Sequence, residues 1–318
     1  MRYIGLDKQI RKNNFNSLLL LIAFPVLLLA MMYAAVYFIT KNQNAHAESY
    51  DTIYDPTNTF FNIAPVVLAA VGIWFLIAWM GHSTFIRLAT GSKLLERKEN
   101  KRVYNLIENL CIQSGMTMPK VYVIEDDSLN AFASGINEKT FSVSLSRGII
   151  NKLDDDELEG VIAHELTHIK NRDVRLLIIS IIFVGIFAFL AELAFRSIRF
   201  SGRGSKDSKG SGAIILIAIV VTAIAYFISM LLRFGISRRR EFLADAGSAE
   251  MTKKPYALAN ALKKISTDPY IEAVESRDVA QLFFQNPTPS VHKSASWDNL
   301  FATHPSIEKR IELLEQFV

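Results

Sequence analysis

The chain has a single cysteine, Cys111, among its 318 residues, so a disulfide within the chain is impossible. This suits a reducing compartment such as the cytoplasm. A CxxC pair, a phosphate-binding glycine loop, an internal repeat and a nucleic-acid motif are also lacking. The net charge of +4 lies largely beside apolar segments, where basic residues meet anionic lipid. We therefore expect no nucleic-acid partner.

Charge is missing from long stretches of the chain. Four apolar runs hold 20 to 22 residues each, at positions 18–39, 61–80, 176–195 and 213–232. At 1.5 Å per residue, each run matches a hydrocarbon core of about 30 Å. The first two hold no charged residue and the third holds only Glu192. This favours four transmembrane helices over buried core helices, and such helices tolerate Pro25 and Pro65.

The first run also has features of a cleavable signal peptide. Basic residues precede it, and Ala45-His46-Ala47 follows it. The run is longer than the apolar stretch of about 7–15 residues in a signal peptide, and a second span follows soon after. We expect an uncleaved membrane anchor.

Lysine and arginine near the spans predict the orientation. The tail before the first run has four basic residues and one acid, so it should be cytoplasmic, whereas loop 40–60 has only Lys41 beside three acids. Six basic residues between 81 and 102 place the next segment in the cytoplasm as well. Loop 196–212, with five basic residues, breaks the rule if runs three and four both span. The depth of that hairpin therefore stays open.

Residues 164–168 read His-Glu-Leu-Thr-His, an HExxH pattern. Histidines four apart lie on one face of a helix, one turn apart, and can share one tetrahedral Zn²⁺ ion. Glu165 can take a proton from a water held by that ion. Asp154 and the acids after it predict the N-cap and first turn of this helix. The alternative for Glu165 is a surface carboxylate in a polar turn.

A second run, RRREFLAD at 238–245, offers a third ligand. Glu241 and Asp245 are four apart and share a helix face. Glu241 would give a carboxylate oxygen to the metal, and Asp245 would accept the second N–H of a ligating histidine. Small Ala244 and Ser248 would let this helix approach another closely. The alternative is a solvated, salt-bridged helix face.

These motifs resemble those of the HtpX-type membrane zinc metalloproteases. The resemblance rests on HELTH at 164–168, RRREFLAD at 238–245, NAFASG at 130–135, His304-Pro305 followed by Arg310, and the order of the apolar segments. It implies one Zn²⁺ per chain, bound by His164, His168 and Glu241, with Glu165 as the catalytic base. It also implies membrane proteins that are damaged or misassembled as substrates.

Three further residues are candidates for contacts with the substrate. The Asn130 amide could hold a substrate backbone, because it has a donor and an acceptor end. His304 could donate to the oxyanion of the tetrahedral intermediate, with Arg310 nearby as a substrate-binding residue. The alternatives are a turn asparagine and an exposed loop histidine.

The fold class expected is α+β, with four transmembrane helices and a mainly helical zincin-type catalytic domain. A helix over 98–114, a strand over 121–124, a hairpin of 130–136 with 140–144 and a final helix over 307–317 are predicted. An extended peptide could add to the edge of this small sheet. The domains expected are a transmembrane hairpin (1–80), a first catalytic part (81–175), a second hydrophobic hairpin (176–232) and a second catalytic part (233–318).

The sequence thus predicts a zinc endopeptidase of the cytoplasmic membrane, facing the cytoplasm, that cuts membrane proteins or peptides. It could also cut itself, because Gly/Ser-rich 201–212 is open to proteases. Alternatives are processing of lipidated peptides in the manner of CAAX prenyl proteases, an intramembrane protease, and a scaffold that uses zinc only to fold. An intramembrane site would place the HExxH motif inside an apolar span, but charged residues follow the motif at 170–175.

Overall fold

The computed structural model describes residues 6–45, 54–201, 238–267 and 305–316. These residues divide between two compact units. One unit draws on Met1–Ser17, Gly81–Ile178 and Phe234–Val318, and the other on Leu18–Met80 and Ile179–Arg233. The HExxH motif belongs to the first unit, and the two apolar runs nearest the N-terminus belong to the second.

Long helices carry the predicted apolar runs: α1 (Leu6–Ala45), α2 (Pro56–Thr90) and α6 (Asp173–Ser201). Among the described residues, two helices, Ile10–Ala45 and Pro56–Thr90, are long and apolar enough to cross a membrane. In the most apolar 18-residue stretch of each helix, only 17% and 6% of the residues, respectively, are buried, which suits contact with lipid rather than a place in a soluble core. The run at 176–195 lies within α6, and the run at 213–232 lies outside the described residues.

The second unit packs aromatic rings together. Phe24 of α1 stacks on Phe183 of α6 with ring centroids 4.2 Å apart, and meets Phe187 edge-on at 4.9 Å. Both geometries are favourable for aromatic pairs. Pro25 lies inside α1 next to this contact, and Pro65 lies inside α2. Both helices continue through their proline, as the sequence predicts.

The first unit contains a four-stranded sheet, made of β1 (Lys93–Leu94), β2 (Lys120–Ile124), β3 (Ala131–Ser134) and β4 (Ser142–Ser146). The order is β1-β2-β4-β3, with β2 parallel to β4 and β3 antiparallel to β4. This confirms the predicted strand and hairpin. Within the described part of the chain, β3 is an edge strand of the sheet.

The first unit also contains the following described helices: α3 (Lys101–Ser114), α4 (Arg147–Lys152), α5 (Asp155–Lys170), α7 (Arg238–Thr252), α8 (Pro255–Ile265) and α9 (Ile307–Glu315). The mainly helical α+β class with a small sheet is confirmed. Helix α3 ends at Gly115, whose φ of 64° is left-handed, as expected of a glycine C-cap. Asp154 caps α5 and forms a capping box with Glu157.

Two prolines lie at or just before the starts of helices. Pro255 lies in the first turn of α8, where a backbone N–H would have no intrahelical partner, so its lack costs no hydrogen bond. Pro305 lies before the N-cap of α9, and Ser306 is the cap that accepts from the Lys309 backbone N–H.

Helix α5 runs through the core of the first unit. One face of the sheet, with Val121, Val143 and Leu145, and the α5 residues Leu158 and Val161 belong to a single buried apolar cluster. Each such side chain contributes about 1.5–3 kcal/mol when it is fully removed from water. Eleven of the sixteen α5 residues are buried, so the motif helix is fixed on several sides.

Candidate metal centre

His164 and His168 project from the same side of α5, one turn apart. Their Nε2 atoms are 3.1 Å apart, and their ring centroids are 4.7 Å apart. The His164 side chain is fully buried and the His168 side chain is 13% exposed. The helix thus presents two imidazole nitrogens to one point, as the four-residue spacing predicts.

A carboxylate holds the other nitrogen of each histidine. Asp245 Oδ1 lies 2.9 Å from His164 Nδ1, and Asp173 Oδ2 lies 3.1 Å from His168 Nδ1. These contacts favour a proton on both Nδ1 atoms and direct both Nε2 atoms at the shared point. The contact expected for Asp245 is present. Asp173 was not foreseen, and its sequence signal is an acid five residues after the second histidine.

Glu241 supplies the third group. Its carboxylate lies 3.7 Å from His164 Nε2 and 3.6 Å from His168 Nε2. A tetrahedral ion with bonds of about 2.0–2.1 Å places its ligand atoms about 3.3–3.4 Å apart. The three groups, whose ligand atoms lie within 4.8 Å of one another, are therefore spaced as three corners of one coordination tetrahedron. The donor set fits a metal ion.

The pKa values of the two histidines are shifted in opposite directions. Burial lowers the pKa of His164 to about 4. Burial also opposes charge on His168, but its hydrogen bond to Asp173 and the charge of Glu241 outweigh burial and raise its pKa to about 9. Protonated His168 can then donate from Nε2 to Nε2 of His164. A metal ion would displace this proton from the shared point.

Glu165 lies next to His164 on α5, with only 2% of its surface exposed. Burial, reinforced by Glu241 and opposed by His168 and the Ala133 backbone N–H, raises its pKa to about 7. A carboxylate with this pKa can both take and return a proton near neutral pH. The hydrogen bond from Ala133 also places the edge strand β3 beside Glu165, a contact that the sequence did not indicate.

Arg310 anchors the carboxylate behind His164. Its Nη2 and Nε donate to the two oxygens of Asp245 at 2.6 and 2.9 Å, and only 1% of its surface is exposed. Burial would raise the pKa of Asp245, but Arg310 and His164 hold it below its usual value. The structure thus places Arg310 behind His164, and the substrate contact expected for it stays a prediction.

The other two candidate residues have different outcomes. Asn130 is fully buried at the entry to β3, where its side-chain oxygen accepts from the Ala131 backbone N–H at 3.0 Å. Its backbone oxygen accepts from the Ser146 N–H at 3.0 Å. A role in holding the substrate therefore stays a prediction. His304 lies outside the described residues.

Small residues bring α7 close enough to α5 for Glu241 to reach the histidines. The hydroxyl of buried Ser248 donates to the Gly160 carbonyl at 2.7 Å. Ala244 is fully buried, as expected of a close helix contact. A methyl group at Gly247 would lie 2.4 Å from Thr167 Cγ2, so this position also requires glycine. The sequence signal for Gly247 is its place three residues after Ala244.

Comparison with known proteins agrees with this geometry. Residues 97–318 match the sequence family described as "Peptidase family M48". The chain is 55% identical over 322 residues to "Protease HtpX homolog" of Bacteroides fragilis, a match that covers all of both chains. It is 35% identical to a protein of that name from Listeria monocytogenes, over 98% of this chain and 99% of the relative.

A solved structure is also similar, the "Crystal Structure of S. mikatae Ste24p". The match includes 94% of this chain and 67% of the chain of that structure, with a TM-score of 0.49 and 19% sequence identity. These values are too low to add to the description of the fold. The family and full-length matches confirm the resemblance noted from the motifs, and the chain belongs to peptidase family M48.

Proposed function

We propose that this membrane metalloprotease is a zinc endopeptidase whose site faces the cytoplasm and whose substrates are membrane proteins or peptides. The observation that carries the proposal is the placement of His164, His168 and Glu241 at the separations of a coordination tetrahedron. Two imidazoles and one carboxylate, with a fourth position left for water or substrate, form a donor set that zinc prefers in hydrolases.

When bound, zinc supplies a Lewis acid that lowers the pKa of water and polarises the peptide carbonyl. Glu165 takes the proton of the attacking water and passes it to the nitrogen of the leaving amine. The buried position of Glu165 and its pKa of about 7 suit both transfers. Asp245 and Asp173 hold the two imidazoles in orientation and favour the Nδ1–H tautomer in each.

The edge strand supports an extended peptide as the substrate. Among the residues that the structure describes, strand β3 has a neighbour in the sheet only on its β4 side, and its Ala133 contacts Glu165. A peptide that pairs with such an edge binds mainly through its backbone, so its side chains are read weakly. This suits a protease that removes many different membrane proteins in quality control.

The alternatives have less support. Full-length similarity to proteins named HtpX homologue favours general proteolysis over the processing of lipidated peptides. A scaffold that uses zinc only to fold would need a fourth protein ligand. The group found among the described residues has three members.

The test is a proteomic comparison of membranes that contain the wild type or Glu165→Ala. The variant should keep its metal, because Glu165 is a base and not a ligand, and should lose proteolysis. Glu159→Ala is the matched control, since Glu159 lies on the same helix and pairs with Lys254 at 3.4 Å. Hydrolysis of a membrane substrate by purified Glu165→Ala at the rate of Glu159→Ala would refute the assignment.

A further inference from the structure

The first turns of α1 reach the junction that follows the motif helix. The side-chain amide of Asn13 donates to the Asn171 carbonyl at 2.8 Å and to Asp173 Oδ1 at 2.7 Å. Only 2% of the Asn13 surface is exposed. A side-chain NH₂ group has two hydrogens, and here each of them has one acceptor.

This junction needs support because of its backbone. Asn171 is the C-cap of α5, where carbonyl groups lack intrahelical partners, and the Asn13 amide satisfies one of them. Arg172, the next residue, has a φ of 64°, a left-handed conformation that is uncommon for a residue other than glycine. The chain turns here so that Asp173, the first residue of α6, returns toward the last turn of α5.

Asp173 links this junction to the metal centre. Its Oδ2 accepts from His168 Nδ1 at 3.1 Å, while its Oδ1 accepts from Asn13 and lies 3.7 Å from Arg240 Nη1. A carboxylate that orients an imidazole must itself be held, because rotation about its side-chain bonds would move the accepting oxygen. The shorter of the two contacts on Oδ1 comes from Asn13.

We propose that Asn13 is a positioning residue for His168 and acts through Asp173. The first turns of α1, which continues into the apolar run, are then part of what holds the metal centre. This inference rests on the proposed role of His168 as a ligand. It assigns to the N-terminal helix a function besides membrane anchoring, because displacement of Asn13 would loosen a ligand 155 residues away in sequence.

The first measurement is zinc affinity by chelator competition for Asn13→Ala and for Asn14→Ala. Asn14 is the adjacent, exposed residue of the same type and serves as the matched control. Asn13→Ala should weaken zinc binding about 10-fold, at the lower end of the range for groups behind the ligands, and Asn14→Ala should not. Asn13→Ser is measured in parallel, because serine keeps a polar group at the junction but cannot bridge both acceptors.

The second measurement separates positioning from mere support of the fold. In an Asp173→Ala background, Asn13→Ala should lower zinc affinity much less than it does in the wild type, because the link from Asn13 to His168 is already broken and only the hydrogen bond to the Asn171 carbonyl is lost. An equal loss in both backgrounds, or wild-type affinity in Asn13→Ala and Asn13→Ser, would overturn the inference. Failure of the wild type itself to bind zinc would instead count against the proposed function.

Discussion

At the scale of single residues, Glu241 and Asp245 should behave differently although they lie one turn apart. Glu241→Ala removes the proposed third metal ligand, so zinc content should fall to near zero. Asp245→Asn keeps an oxygen beside His164 Nδ1 and should weaken zinc binding by about 10–100-fold. Metal analysis of both purified proteins checks this. Full zinc occupancy in Glu241→Ala would show that the third ligand lies elsewhere.

The buried pair of Asp245 and Arg310 gives a second prediction, for stability. Asp245→Ala leaves a buried guanidinium without its bidentate partner, which costs about 3–5 kcal/mol. Adding Arg310→Met removes the stranded charge, so the double variant should unfold at a higher temperature than Asp245→Ala. Thermal unfolding of the metal-free proteins checks this order. The reverse order would mean that Arg310 is not buried as a charge.

The sequence predicted the residues of the site that lie within one turn of each other. His164 with His168, and Glu241 with Asp245, follow from the four-residue period of a helix. Asp173, Ala133 and Asn13 were not predicted, because their contacts depend on how the chain returns from distant positions. Arg310 was associated with the site by its motif, but the sequence could not show that it lies behind His164.

At the scale of helices and strands, the contact between α5 and α7 sets the position of Glu241. Gly247→Ala would place its methyl group 2.4 Å from Cγ2 and 2.7 Å from Oγ1 of Thr167, a short and branched side chain that is buried. The helices must separate, so we expect a loss of about 1–3 kcal/mol in stability and weaker zinc binding.

A second variant isolates this mechanism. Thr167→Ala removes both atoms that clash most, and it leaves Cβ at 3.1 Å from the added methyl group. The double variant Gly247→Ala/Thr167→Ala should therefore bind zinc more tightly than Gly247→Ala alone. Equal zinc affinity of the two proteins would exclude steric separation of α5 and α7 as the cause.

Capping residues predict where helices begin or end, whereas an apolar run is a poor guide to the length of a helix. Gly115 and Asp154 correctly predict the C-terminal end of α3 and the N-terminal end of α5, since these residues satisfy end groups locally, whereas α3 begins at Lys101 and not at residue 98. The first apolar run was read as 18–39, but α1 spans Leu6–Ala45. An apolar run marks only the part of a helix that is suited to lipid. The helix is longer than the run, because the backbone hydrogen bonds of the helix continue into polar residues on both sides.

At the scale of the whole molecule, the division into units agrees with a membrane topology. The described parts of the N-terminal tail, of 81–178 and of the segments after residue 237 belong to one unit. The contact of Asn13 with Asp173 requires the tail and the motif helix to lie on the same side of a bilayer. The positive charge of the tail predicts that this side is the cytoplasm.

Cysteine labelling tests this topology with little background. Burial raises the pKa of Cys111 to about 11, and only 1% of its surface is exposed, so the native thiol should react poorly with a maleimide. New cysteines at three exposed positions, Gln43, Lys98 and Glu250, give the comparison. An impermeant reagent added to intact cells should label Gln43→Cys and should not label Lys98→Cys or Glu250→Cys.

The outcome separates the orientation from the depth of the second hairpin. External labelling of Glu250→Cys would overturn the cytoplasmic placement of the site, since α7 carries Glu241. Two apolar runs of 20 residues are costly to leave outside the bilayer, so we expect the third and fourth runs both to span. A cysteine at Ser208, between these runs and outside the described residues, should then show weak external labelling. Labelling at Ser208 only after the cells are opened would make that hairpin re-entrant or peripheral. The metal centre would keep its place, because either path returns α7 to the side that holds His164 and His168.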